Sequence, residues 1–87
     1  MAYNVKWNKG ARDDLAQIDK SIARRIIDKI TGHLASNPED LGKPLKGIFR
    51  GLYRYRFGDW RIIYALDREE NSIMILRAGH RKDVYKK

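Results

Sequence analysis

Between Tyr53 and Tyr64 the chain reads YRYRFGDWRIIY, large apolar residues alternating with arginine on both sides of Gly58-Asp59. A period of two marks a strand with one buried face, and two such runs separated by two residues that begin with glycine predict a hairpin closed by a type II′ turn. That turn sets Phe57 opposite Trp60, Arg56 opposite Arg61, Tyr55 opposite Ile62, Arg54 opposite Ile63 and Tyr53 opposite Tyr64. Alternation then puts Tyr53, Tyr55, Phe57, Trp60, Ile62 and Tyr64 on one face and Arg54, Arg56 and Arg61 on the other. An aromatic face of that size must be covered, and the rest of the chain has to provide the cover.

The N-terminal half has the right pattern for it. Residues 2 to 7 (AYNVKW) alternate as a half-buried strand does, and Asn8 can cap a helix from Gly10 to about Asp19, with Ala11, Leu15 and Ile18 on one side. Ser21 reads as the cap of a longer helix whose apolar face is Ile22, Ile26, Ile27, Ile30 and Leu34. Asn37-Pro38 ends it, because proline disfavours the helical region for its predecessor, and residues 37 to 47 read as one long loop. Runs 48 to 57, 60 to 66 and 73 to 78 then read as an antiparallel meander. The expected fold class is α+β: a strand, a two-helix hairpin and three strands, forming a twisted antiparallel sheet with the helices on one face.

At 87 residues this is expected to be a single domain, residues 1 to 87, with a core sustained by a 43% hydrophobic composition. There is no cysteine, which excludes a disulfide framework, a thiolate metal site and a cysteine nucleophile. The first residues lack a charged region followed by an apolar run, and no stretch of 18 apolar residues occurs, so no membrane association and a cytoplasmic location are expected. The formal charge of +8 favours a polyanionic partner, since each neutralised phosphate releases counterions.

The arginines sharpen that expectation. Like charges directly opposite on a sheet repel, and an arginine cannot relieve the repulsion by losing its proton. An anion is expected on this face, unless the arginines only solvate it or pair with Asp67, Glu69 or Glu70. The last strand leads into Gly79-His80-Arg81, bringing an imidazole and another guanidinium to a strand end with Tyr85 four residues beyond; His33, within the second helix, reads as structural. The acids occur as adjacent pairs (Asp13-Asp14, Glu39-Asp40, Glu69-Glu70) without metal-ligand spacing, so no metal and no cofactor are expected. RNA carries its own nucleophile in the 2′-OH, and its cleavage needs in-line positioning, charge stabilisation and proton transfer, which arginines, a histidine and a stacking tyrosine can supply.

The element order, with LKG (45 to 47), YRYRFGDWRIIY (53 to 64) and GHRKDVY (79 to 85), resembles the RelE/ParE superfamily of toxins from toxin-antitoxin modules, closest to the RelE-type mRNA interferases. The resemblance implies cleavage of mRNA in the ribosomal A site by 2′-OH attack, leaving a 2′,3′-cyclic phosphate, without metal. It implies that Arg61 stabilises the transition-state phosphate, Arg81 assists the leaving 5′ oxygen and Tyr85 stacks on or orients the nucleotide. Arg54 and Arg56 stand where the best-known member has lysines. An arginine makes a poor base, so either these two only bind phosphate or His80 takes the proton, the assignment favoured here. Candidate RNA- and ribosome-binding residues are Lys46, Arg50, Arg77, Lys82, Arg24 and Arg25, although solvation explains the helix-borne ones equally well. The resemblance further implies a cognate RelB-type antitoxin as partner, beside the ribosome and mRNA. The alternatives are a ParE-like inhibitor of DNA gyrase that cuts nothing and a binding module without turnover.

Overall fold

A computed structural model of the chain describes residues 2–80. Strand β1 (Asn4–Trp7) leads into helix α1 (Lys9–Ala16), whose first turn is closed by Asn8, its side chain accepting from the Ala11 N–H at 3.0 Å. Helix α2 (Lys20–Gly32) is capped by Asp19 rather than by Ser21. The Asp19 carboxylate accepts from both the N–H and the hydroxyl of Ser21, bonds that hold its pKa below the usual value.

A single 3₁₀ turn (Leu34–Ser36) follows, and the expected long loop resolves into a short helix α3 (Pro38–Leu41) and a two-residue strand β2 (Lys43–Pro44). Proline at the first position of α3 explains why this segment starts a helix as well as ending one: its missing N–H would be unsatisfied there anyway. Strands β3 (Tyr53–Phe57), β4 (Trp60–Asp67) and β5 (Ser72–His80) follow, the run at 48 to 52 being a turn instead of strand.

Among the described residues five strands form one sheet, ordered β1-β5-β4-β3-β2. Pairing is antiparallel except at one end, where β1 lies parallel to β5, with Val5 beside Ile73 and Trp7 beside Ile75. Parallel neighbours need a long crossover, and everything from α1 to β4 serves as one here. Between β4 and β5 the register slips: Ile63 faces Arg77 but Tyr64 faces Ile75, so Leu76 is the extra residue of a bulge.

The core lies between the helices and one sheet face. Ile26, Ile30 and Leu34 meet Tyr55, Ile62, Tyr64, Ile73, Ile75 and Ala78, all buried. Ile27, expected on this apolar face, stands outside it and is exposed. Among the described residues no helix is long and apolar enough to cross a membrane.

Candidate nucleic-acid interface

The β3–β4 hairpin has the register its sequence dictates. Arg56 faces Arg61, Arg54 faces Ile63 and Phe57 faces Trp60, across a turn in which Gly58 takes φ +59° and Asp59 does not become left-handed, as a type II′ turn requires. Directly opposed residues share a face, so Arg54, Arg56 and Arg61 lie together on the side of the sheet away from the helices.

The three guanidiniums are not equivalent. Arg56 is exposed and Arg54 partly so, whereas Arg61 retains only 8% of its accessible surface and donates from Nη1 to the Gly58 carbonyl at 3.4 Å. The arginine face is therefore not uniformly open, as alternation alone suggested. A side chain on a residue this buried is held in place, which suits a group that meets a phosphate in one geometry.

Lys43 joins them. It faces Arg54 across β2 and β3, and with Leu41, Arg54 and Arg56 it lines a cavity of about 140 Å³. The sequence did not single it out because a two-residue strand carries no periodicity, and its only local mark is the Pro44 that follows. Among the described residues no carboxylate comes within ion-pair distance of Lys43, Arg54 or Arg56. Of the acids considered as partners, Asp67 accepts from the Glu70 N–H, and among the described residues none of Asp67, Glu69 and Glu70 pairs with these cations.

His80 is on the other side. It faces Trp60 across β4 and β5, edge to ring at 5.7 Å between centroids, while Gly79 is the residue that faces Arg61. By alternation the imidazole belongs to the helix-facing side, where it borders a hollow of about 490 Å³ with Asp14, Ile22, Trp60 and Arg77. The expectation that His80 adds to the arginine patch is corrected by this register. His33 is structural as expected: its Nδ1 lies 2.6 Å from the Tyr55 hydroxyl.

The remaining candidates are dispersed. Arg77 grips Asp14 with two nitrogens, Nε at 2.8 Å and Nη2 at 3.2 Å, and the Ala78 N–H donates to the same carboxylate, so this guanidinium is neutralised within the fold. Arg25 lies over the Phe57 ring at 5.7 Å with Lys29 at 5.6 Å. Arg24 is exposed on α2, and Lys46 and Arg50 are exposed on the loop joining β2 to β3. Arg81, Lys82 and Tyr85 lie outside the described residues. Among the described residues no three His, Asp or Glu side chains converge as a metal site would require.

The fold that presents this face is shared with known proteins. The family model for the ParE toxin of type II toxin-antitoxin systems matches residues 5–85. The chain belongs to the RelE/ParE toxin family. It is 33% identical to toxin RelG of Mycobacterium tuberculosis over the full length of both chains. It is equally 33% identical to toxin RelE of the same organism, over 97% of this chain and 87% of that one. Among solved structures, the RelBE2 toxin-antitoxin complex of M. tuberculosis superposes with a TM-score of 0.90 at 32% identity, covering 95% of each chain. The isolated Escherichia coli RelE toxin shares the fold, with a TM-score of 0.71 at 17% identity, covering 91% of this chain and 84% of that one. This protein is thus a toxin of a type II toxin-antitoxin system, with the α+β fold of the RelE toxins.

Proposed function

We propose that this toxin is a ribosome-dependent endoribonuclease that cuts mRNA in the A site by metal-independent attack of a 2′-OH, and that it does so as a single-domain protein in the cytoplasm. The observation that carries the reading is a cationic sheet face on which Arg56 stands directly opposite Arg61 with Arg54 and Lys43 alongside, the exposed Arg56 and its neighbours Arg54 and Lys43 meeting no carboxylate within ion-pair distance among the described residues. A phosphodiester seated between them would convert that repulsion into attraction. Relatives named as toxins RelE and RelG, each one-third identical, favour the RelE-type reading over the ParE-like one.

The reaction is an internal transfer. The 2′ oxygen bonds to phosphorus as the bond to the 5′ oxygen breaks; the 2′-OH loses a proton, the 5′ oxygen gains one, and a 2′,3′-cyclic phosphate remains. Arg61, held in place by its burial, is suited to the charge that builds on the non-bridging oxygens, and the exposed Arg56 and Arg54 to binding the strand. Arg81 is proposed to assist the departing oxygen and Tyr85 to stack on the nucleotide. His80, facing Trp60, is a poorer candidate for the base than the sequence suggested. A RelB-type antitoxin is the proposed partner that silences the toxin, as the solved RelBE2 complex of a 32% identical relative suggests.

The decisive experiment maps 5′ ends of a defined mRNA on ribosomes with an empty A site, with the parent, Arg61→Ala and His80→Ala. Cuts confined to the A-site codon, slowed about 10²- to 10³-fold by Arg61→Ala and changed less than about threefold by His80→Ala, bear the reading out. Intact RNA throughout would overturn it and direct attention to gyrase supercoiling, the activity of the ParE-like alternative.

A further inference from the structure

The loop that joins β2 to β3 has an unusual tip. Its base is closed by the Leu45 N–H donating to the Leu52 carbonyl at 2.9 Å. Within it a 3₁₀ turn (Gly47–Phe49) is fastened by the Phe49 N–H to the Lys46 carbonyl and the Arg50 N–H to the Gly47 carbonyl. Gly47 and Gly51 take φ of +67° and +96°, conformations that other residues adopt at a cost. The tip is therefore a built turn.

What it presents is an isoleucine. Ile48 keeps 93% of its surface accessible, against 37% for Ile27, the other exposed large apolar residue among those described. A singly exposed apolar side chain is ordinary on a protein surface; this one is framed by the exposed cations Lys46 and Arg50 and stands on the hairpin whose base carries Lys43 and Arg54. Only Leu52 and Tyr53 lie between Gly51 and Arg54, a span of at most about 10 Å. Cations flanking an apolar tip match the alternation of phosphate and base along a single strand, where apolar wedges pack against unstacked bases. Continuity with the arginine face favours RNA over an apolar patch on another protein.

We propose that this tip is a substrate-positioning element, with Ile48 seated against a base of the message beside the phosphate held by the arginine face, and Lys46 and Arg50 on the adjoining phosphates. The assignment rests on the endoribonuclease reading above.

The test is the cleavage rate of a defined message on programmed ribosomes, titrated with the parent, Ile48→Ser, Ile48→Leu and Arg56→Ala, together with equilibrium binding of the same variants to ribosomes carrying no message. Removing one buried apolar side chain should raise the half-saturating toxin concentration about tenfold for Ile48→Ser. The rate at saturation and the binding to message-free ribosomes should be unchanged, and Ile48→Leu should behave as the parent. If Ile48→Ser stays within twofold while Arg56→Ala is impaired, the positioning role is wrong and the nuclease reading stands. Equal weakening on message-free ribosomes would place the tip on the ribosome itself and also overturn the proposal. No cutting by any variant would bring down the nuclease reading and this inference together.

Discussion

Gly42 shows how a single residue can hold a site without touching it. It precedes β2, its neighbourhood is filled by the Tyr64 hydroxyl, and a Cβ built there would overlap that oxygen. The hydroxyl in turn donates to the Pro38 carbonyl at 2.6 Å, fastening α3 under the sheet beside Lys43. Gly42→Ala should therefore push the ring off its partner and lower stability by about 1–3 kcal/mol, read as a shift in the urea midpoint at constant slope. The same tyrosine predicts an alkaline limit. Burial, with smaller contributions from Tyr53 and Tyr55, raises its pKa well above the ordinary value near 10, so the folded state holds the proton more tightly than the unfolded chain. The contribution is complete below about pH 10 and is lost as pH rises beyond it. Thermal melts from pH 8 to 12 should show a decline that Tyr64→Phe flattens, the variant starting about 1–3 kcal/mol lower because the Pro38 carbonyl loses its donor. None of this was legible in the sequence. Tyr64 was readable as an inward aromatic, but its dependence on a glycine 22 positions earlier is a fact of packing alone.

At the scale of elements, legibility followed periodicity. The hairpin register, the Asn8 cap and the two helices are local patterns, and the structure reproduces them. Helix α3 and strand β2 are set by what each segment lies against, and four and two residues are too few to show a period; β1 alternates legibly, but its parallel pairing with β5 depends on a segment distant in sequence. Asp14 shows what a pair count misses. In the sequence it is half of the Asp13-Asp14 pair, without metal-ligand spacing, yet from the second half of α1 its carboxylate crosses to β5, taking Arg77 in two bonds and the Ala78 N–H in a third. That clasp sits at the bulge where β5 gains Leu76, and so at the point that decides which face His80 and Gly79 occupy. The partly exposed ion pair is discounted for solvent. Asp14→Ala should then cost about 1–2 kcal/mol in chemical denaturation, and amide exchange should rise around residues 76 to 80 more than in β3.

For the whole molecule the relevant quantity is where the +8 charge is placed rather than its size. Nineteen basic residues read alike in the sequence, but the fold sorts them. Arg77 and Arg68 are neutralised by Asp14 and Glu39, and Arg25 and Lys29 lie on Phe57. Lys43, Arg54 and Arg56 meet no described carboxylate, and they share the face that also carries the largely buried Arg61. This sorting predicts the salt dependence of RNA binding. Each cation that displaces a counterion from a single strand contributes about 0.7 to the slope of log K against log salt concentration. Arg54→Ala and Arg56→Ala should each reduce that slope by about this amount, measured by anisotropy on a 2′-O-methylated oligonucleotide that cannot be cut. Arg77→Ala removes the same formal charge but exposes Asp14 as an unpaired acid, so it should weaken binding only slightly and leave the slope within error. If all three variants shifted the slope alike, RNA would be sensing the net charge of the domain, and the arginine face would lose its claim as the place where the strand lies.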